Sequence, residues 1–180
     1  MLQHNSELAG KIRQLWDKFW AGGIANPLTA IEQITYLLFM KRLDELDLKK
    51  QSDVAFTGEP YTSRFEGTWL PPQFRTLPEE KQQEYLINKS TLRWSDFKHR
   101  QADAMLVFVR DNVFPFIQEL NGETSNFTKH MANAVFMIPK GNLLVEATKI
   151  IDEIFSIMEK DGKEGGQTFQ DIQGDVYEYL

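Results

Sequence analysis

Apolar side chains crowd the stretch from Asn26 to Glu45, NPLTAIEQITYLLFMKRLDE, more densely than a helix lying on a surface would allow. Leu28, Ile31, Ile34, Leu37, Leu38 and Leu43 recur at three- and four-residue steps, while Tyr36, Phe39 and Met40 widen the stripe until little of the circumference is polar. The pattern predicts a buried central helix with partners on several sides. Its start is well marked. Asn26 suits an N-cap and Pro27 the first helical position, where a missing N–H costs nothing, and Thr29 with Glu32 forms an alternative capping pair.

The same periodicity predicts a first helix from about Ser6 to Ala21, with Leu8, Ile12, Leu15, Trp16, Phe19 and Trp20 on one stripe and Gly22-Gly23 at its end. Trp16 and Trp20 lie four apart on one face, so both are expected in the core, although an exposed pair would anchor another subunit instead. From about residue 47 to 78 the period is lost among Gly58, Pro60, Gly67, Pro71 and Pro72, which predicts a loop-rich insertion. Its aromatics Tyr61, Phe65 and Trp69 are expected to order it by packing. A short polar helix opens at Pro78-Glu79-Glu80 and runs to about Ile87, and a strong one follows from about Gln101, burying Met105, Leu106, Phe108, Val109, Val113, Phe116 and Ile117. Pro115 should kink or break it. Asn126 to Ile138 reads as another short helix, and Leu143, Leu144, Ala147, Ile150, Ile151, Ile154, Phe155 and Met158 mark a long amphipathic one. The sum is an all-α, multi-helix bundle with a loop-rich insertion. Residues 1–160 are expected to form the helical domain and residues 161–170 a flexible linker, after which 171–180 begin a short helix.

Several blocks, taken in order, carry a resemblance. IEQITYLLFMKRLDE, preceded by Leu15-Trp16-Asp17-Lys18-Phe19-Trp20 and followed by Leu92-Arg93-Trp94-Ser95-Asp96-Phe97 and Ala134-Val135-Phe136, resembles the N-terminal helical domain of the modification (methyltransferase) subunit of type I restriction-modification systems. Gly174-Asp175-Val176-Tyr177-Glu178-Tyr179-Leu180 is similar to that family's join to its catalytic domain, so the 180 residues are expected to be a fragment. The resemblance implies a neighbouring domain that uses S-adenosylmethionine to methylate adenine N6. It also implies four partners: a specificity subunit, a second modification subunit, a restriction subunit and double-stranded DNA in the assembled complex.

Composition permits this. With 42% hydrophobic residues and 12% aromatics, the chain can build a core without staples. No cysteine is present, which excludes disulfides, thiolate metal sites and cysteine nucleophiles. No basic-then-apolar leader opens the sequence, and its longest apolar run falls far short of the ~20 residues that span a bilayer, so a soluble, cytoplasmic protein without membrane contact is expected. The net charge of -6 argues against binding DNA with the whole surface. The charge is unevenly placed: residues 1–100 carry 14 basic and 13 acidic side chains, residues 101–180 carry 6 and 13. Any nucleic-acid contact should come from the first part.

Catalytic chemistry is not legible in this stretch. Adenine methylation requires a glycine-rich turn after a strand and an Asn/Asp/Ser-Pro-Pro-aromatic tetrapeptide for the flipped base, and neither occurs; Asn26-Pro27-Leu28-Thr29 opens a helix instead. His4, His99 and His130 stand apart from one another, without a ligand at metal-binding helical spacing. Acid pairs such as Asp44 with Glu45 and Asp152 with Glu153 are adjacent in sequence, as solvated helix edges are. The site residues are therefore expected to include no catalytic, cofactor-binding or metal-binding group. One cluster stands out: Lys89, Arg93, Lys98, His99 and Arg100 surround Trp94, a candidate contact for DNA phosphates or a partner. Trp94 and Phe97 themselves are expected to enter the core. The functional expectation is a subunit-docking and DNA-clamping element rather than a catalyst, with a free-standing helical protein-interaction adaptor as the alternative.

Overall fold

The computed structural model describes residues 6–120 and 133–165. Helices dominate them, and the only sheet among these residues is a two-stranded one of two residues per strand, so the all-α expectation holds. The chain divides into two compact units, one made of residues 1–37 and 138–180, the other of residues 38–137.

In the first unit α1 (Ser6–Ala21) packs along α7 (Gly141–Gly165). Leu8, Ile12, Leu15 and Phe19 supply the buried stripe of α1, and Leu144, Ala147, Ile151 and Ile154 are among those of α7. The sequence pattern of both helices is thereby satisfied. Lys11 pairs with Glu153 and Lys18 with Glu146 along the edges of this contact. The Leu143 side chain packs close to the end of α1: a Cβ on Gly22 would lie 2.8 Å from Leu143 Cδ2, and Gly23 turns the chain at φ +103°. Trp20 departs from expectation. It is 54% exposed, because the buried stripe runs through Leu15 and Phe19 and leaves the flank carrying Trp20 in solvent. α7 stays helical to Gly165, inside the stretch whose composition favours a linker.

α2 (Pro27–Thr57) begins as its sequence signals: Asn26 Oδ1 accepts from Leu28 N at 2.9 Å, and Pro27 occupies the first turn. Its residues up to Leu37 lie in the first unit and those from Leu38 on in the other. The helix runs twelve residues beyond Glu45, so residues 47–57 are helix and not loop. No breaker intervenes before Gly58, whose φ of +71° ends the helix while its N–H bonds Val54 O at 2.8 Å. The insertion proper starts there.

In the second unit the insertion folds around aromatics. Phe65 and Trp69 are buried against Phe116, with ring centroids 5.9 and 5.8 Å away. Trp69 Nε1 donates to Glu119 at 3.0 Å, and Arg75 bonds the same carboxylate at 2.7 Å. Strands β1 (Thr68–Trp69) and β2 (Ile87–Asn88) pair antiparallel and close this segment. Between them lie the short helix α3 (Glu79–Gln82) and 3₁₀ turns, which replace the single helix expected to Ile87. A 3₁₀ turn at Lys89–Leu92 leads to α4 (Trp94–Phe97), whose Trp94 and Phe97 are fully buried edge to face at 5.5 Å. α5 (Ala102–Phe108) passes through a π-helical turn at Val109–Val113 into α6 (Phe114–Gln118). The wide turn sits just before Pro115, which has no N–H for the ladder, so the helix is locally unwound and not broken.

The expected helix from Asn126 to Ile138 lies partly outside the described residues. Its described end, 133–138, is irregular. Here Phe136 packs at a tilt against Phe114 with centroids 5.6 Å apart, and Ala134 O accepts from the Gln118 side chain at 2.9 Å, a partner that a helix would not need.

Candidate functional site

The second half of α2 carries two acids on its buried face. Asp44 and Asp47, three residues apart, are each only 2% exposed. Arg93, on the turn before α4, reaches both: Nη2 lies 2.7 Å from Asp47 Oδ2, and Nη1 lies 3.3 Å from Asp44 Oδ1, a charge contact without hydrogen-bond geometry. Ser95 N donates to Asp44 Oδ2 at 2.9 Å. Asp47 also accepts from Tyr61 Oη at 2.5 Å, Ser63 Oγ at 2.7 Å, Gln51 Nε2 at 2.9 Å and Arg64 N at 3.2 Å. The Arg93 guanidinium lies 4.8 Å from the Phe65 ring. One helix, the insertion and the turn before α4 are thus tied at one buried point.

Two carboxylates against one guanidinium leave an excess negative charge, and the hydroxyl, amide and backbone donors spread it. Burial pushes the Asp47 carboxyl up, yet its bonds from Tyr61, Ser63, Arg93 and the Arg64 backbone outweigh burial and hold it below the usual carboxylate range. Burial, then the bond to Asp47 and its charge, push the Tyr61 phenol up to about 12. Neither group exchanges a proton near neutral pH, so the cluster suits holding a shape and not acid-base chemistry. Above it opens a cleft of about 490 Å³ lined by Gln51, Tyr61, Ser63, Glu66, Asn88 and Arg93. Among the described residues no group of His, Asp or Glu is placed to hold a metal ion.

The five basic candidates do not share one surface. Arg93 is turned inward, its charge taken up by Asp44 and Asp47. Lys89 is half-buried on its 3₁₀ turn, Lys98 is half-buried at the end of α4, and His99 is exposed. Arg100 lies flat on Phe108, with Cζ 3.6 Å from the ring centroid. His4 and His130 lie outside the described residues.

Asp44 is not the solvated helix edge that its adjacency to Glu45 suggested. Two acids three apart inside the most apolar face of a helix were the available signal, since such a face tolerates charge only when a cation comes to it. What supplies that cation, forty-six residues from Asp47, is invisible to local pattern.

A family model described as the HsdM N-terminal domain matches residues 8–151. The chain belongs to this family. It is the N-terminal domain of the methyltransferase (M) subunit of type I restriction-modification systems, which agrees with the resemblance read from the sequence blocks. Comparison with curated proteins and with solved structures found no match. As an HsdM N-terminal domain the chain is a non-catalytic part of its subunit. The matched span runs from Leu8 in α1 to Ile151 in α7 and includes both buried acids and all five basic candidates. No helix among the described residues is long and apolar enough to cross a membrane.

Proposed function

We propose that this domain docks subunits and clamps DNA for a modification subunit whose neighbouring domain transfers methyl from S-adenosylmethionine to adenine N6. The observation that carries the reading is the family match across residues 8–151. Two features support it. The buried Arg93 cluster fixes the turn that bears Lys89 and the start of α4, after which Lys98 and Arg100 follow, so these basic residues sit on segments anchored to the core. Trp20 and Phe56, 54% and 91% exposed, offer large apolar surface of the kind that anchors a neighbouring subunit. In this reading residues 1–160 form the docking domain. The partners are the specificity, second modification and restriction subunits with duplex DNA, in the cytoplasm.

The test is DNA binding by the assembled modification complex as KCl is raised. Reversing Lys89 and Lys98 to Glu removes two phosphate contacts, which lowers the slope of log affinity against log salt by about 2. An unchanged slope in a complex of normal subunit composition refutes the DNA-clamping role.

A further inference from the structure

We propose that Arg100 is a pre-set receptor for a backbone phosphate of duplex DNA and that Phe108 is its positioning residue, an inference that rests on the DNA-clamping reading above. Three other arginines of this unit are neutralised within the chain: Arg75 by Glu119, Arg93 by Asp44 and Asp47, Arg110 by Asp111. Arg100 has no carboxylate at ion-pair distance among the described residues. Its guanidinium instead lies face-on to Phe108 at 3.6 Å. Its Nε is sealed from solvent without a hydrogen-bond partner. That is a costly way to bury a donor, and the ring contact is what holds it there.

The consequence is a cation with one free edge. A ring covers one face of the guanidinium and Nε is closed off, so the two Nη nitrogens carry the remaining donors. A planar pair of N–H groups on a fixed plane matches two oxygens of a phosphodiester, and the stacked ring has already removed most of the side chain's rotational freedom. The nearest acids in sequence, Asp96 and Asp103, are both exposed, and neither is paired with Arg100. A phosphate fits this arrangement because two of its oxygens can accept from the two Nη groups at once.

The experiment uses the assembled modification complex on a duplex carrying its target, with dissociation constants measured over a series of KCl concentrations. Arg100→Gln should lower the salt slope by about 1 and weaken binding about tenfold. Phe108→Leu, which keeps the charge but removes the platform, should weaken binding about threefold with the slope unchanged. Arg100→Lys should keep the slope and recover part of the affinity, which a purely structural role would not predict. Wild-type slope and affinity in Arg100→Gln overturn the assignment, as does a slope change in Phe108→Leu. If the Lys89 and Lys98 reversals lower the slope while Arg100→Gln does not, this inference alone fails; if none of them lowers it, the DNA-clamping reading fails. Thermal stabilisation of the wild type, but not of Arg100→Gln, by inorganic phosphate without DNA would assign the site to free phosphate and overturn the DNA source.

Discussion

Arg93→Met isolates the energetic role of the buried cluster, because Met keeps much of the length of the side chain and its contact with Phe65 while deleting the charge. Both acids it would abandon are 2% exposed, and the Arg93 side chain itself is 14% exposed, so water replaces little of what is lost. Removing one partner from a buried ion pair costs about 3–5 kcal/mol. For a chain of this size a urea dependence of about 2 kcal/mol per molar converts 4 kcal/mol into a midpoint lowered by about 2 M. The assay is urea unfolding of the 180-residue chain followed by far-ultraviolet circular dichroism, with Lys49→Met, at an exposed position of α2, as the surface comparison. Adding Asp44→Asn to Arg93→Met should return part of the loss, because it removes one of the two stranded charges, and the pair should therefore be less costly than the sum of the single changes. If Arg93→Met shifts the midpoint no more than a surface substitution does, about 0.25 M, the cluster does not hold the insertion to α2 and the argument fails.

Acid titration should expose Asp47 directly: its folded pKa is depressed, so its contribution is present above the ordinary carboxylate pKa of about 3.9 and is lost as pH falls through the lower folded value. Asp47→Asn should flatten that part of a stability-against-pH profile, and an unchanged acid limb would count against the network. At the alkaline end the Tyr61 phenol is raised to about 12, so its stabilisation is complete below pH ~10 and disappears as pH climbs towards the folded value; Tyr61→Phe should remove this loss in the same profile. Gly22→Ala places a methyl 2.8 Å from Leu143 Cδ2 and should lower stability by about 1 kcal/mol by denaturant unfolding; a neutral result would mean that the Leu143 side chain gives way without cost. Trp20→Glu should leave the unfolding midpoint nearly unchanged yet reduce recovery of partner subunits when the modification complex is purified, and full recovery would remove Trp20 from the docking surface.

Local order was legible from residues alone wherever a single segment decides it. The Asn26 cap, the Pro27 start and the stripes of α1, α2 and α7 follow from helical periodicity and from backbone groups that must be satisfied within a few residues. The same reasoning misplaced the end of α2, because an absence of apolar period between residues 47 and 57 marks a helix in solvent as readily as a loop. It also put Trp20 inside, since periodicity says which side chains share a face but not how wide the partner on that face is. The arrangement of charges was decided by the tertiary structure. Asp44 and Asp47 became the most buried acids of α2 only because Arg93, Tyr61 and Ser63 arrive from distant parts of the chain, and Arg100 came to lie against the Phe108 ring. Helices are read from neighbours, whereas the fate of an ionisable group depends on which distant atoms lie within a few ångströms of it.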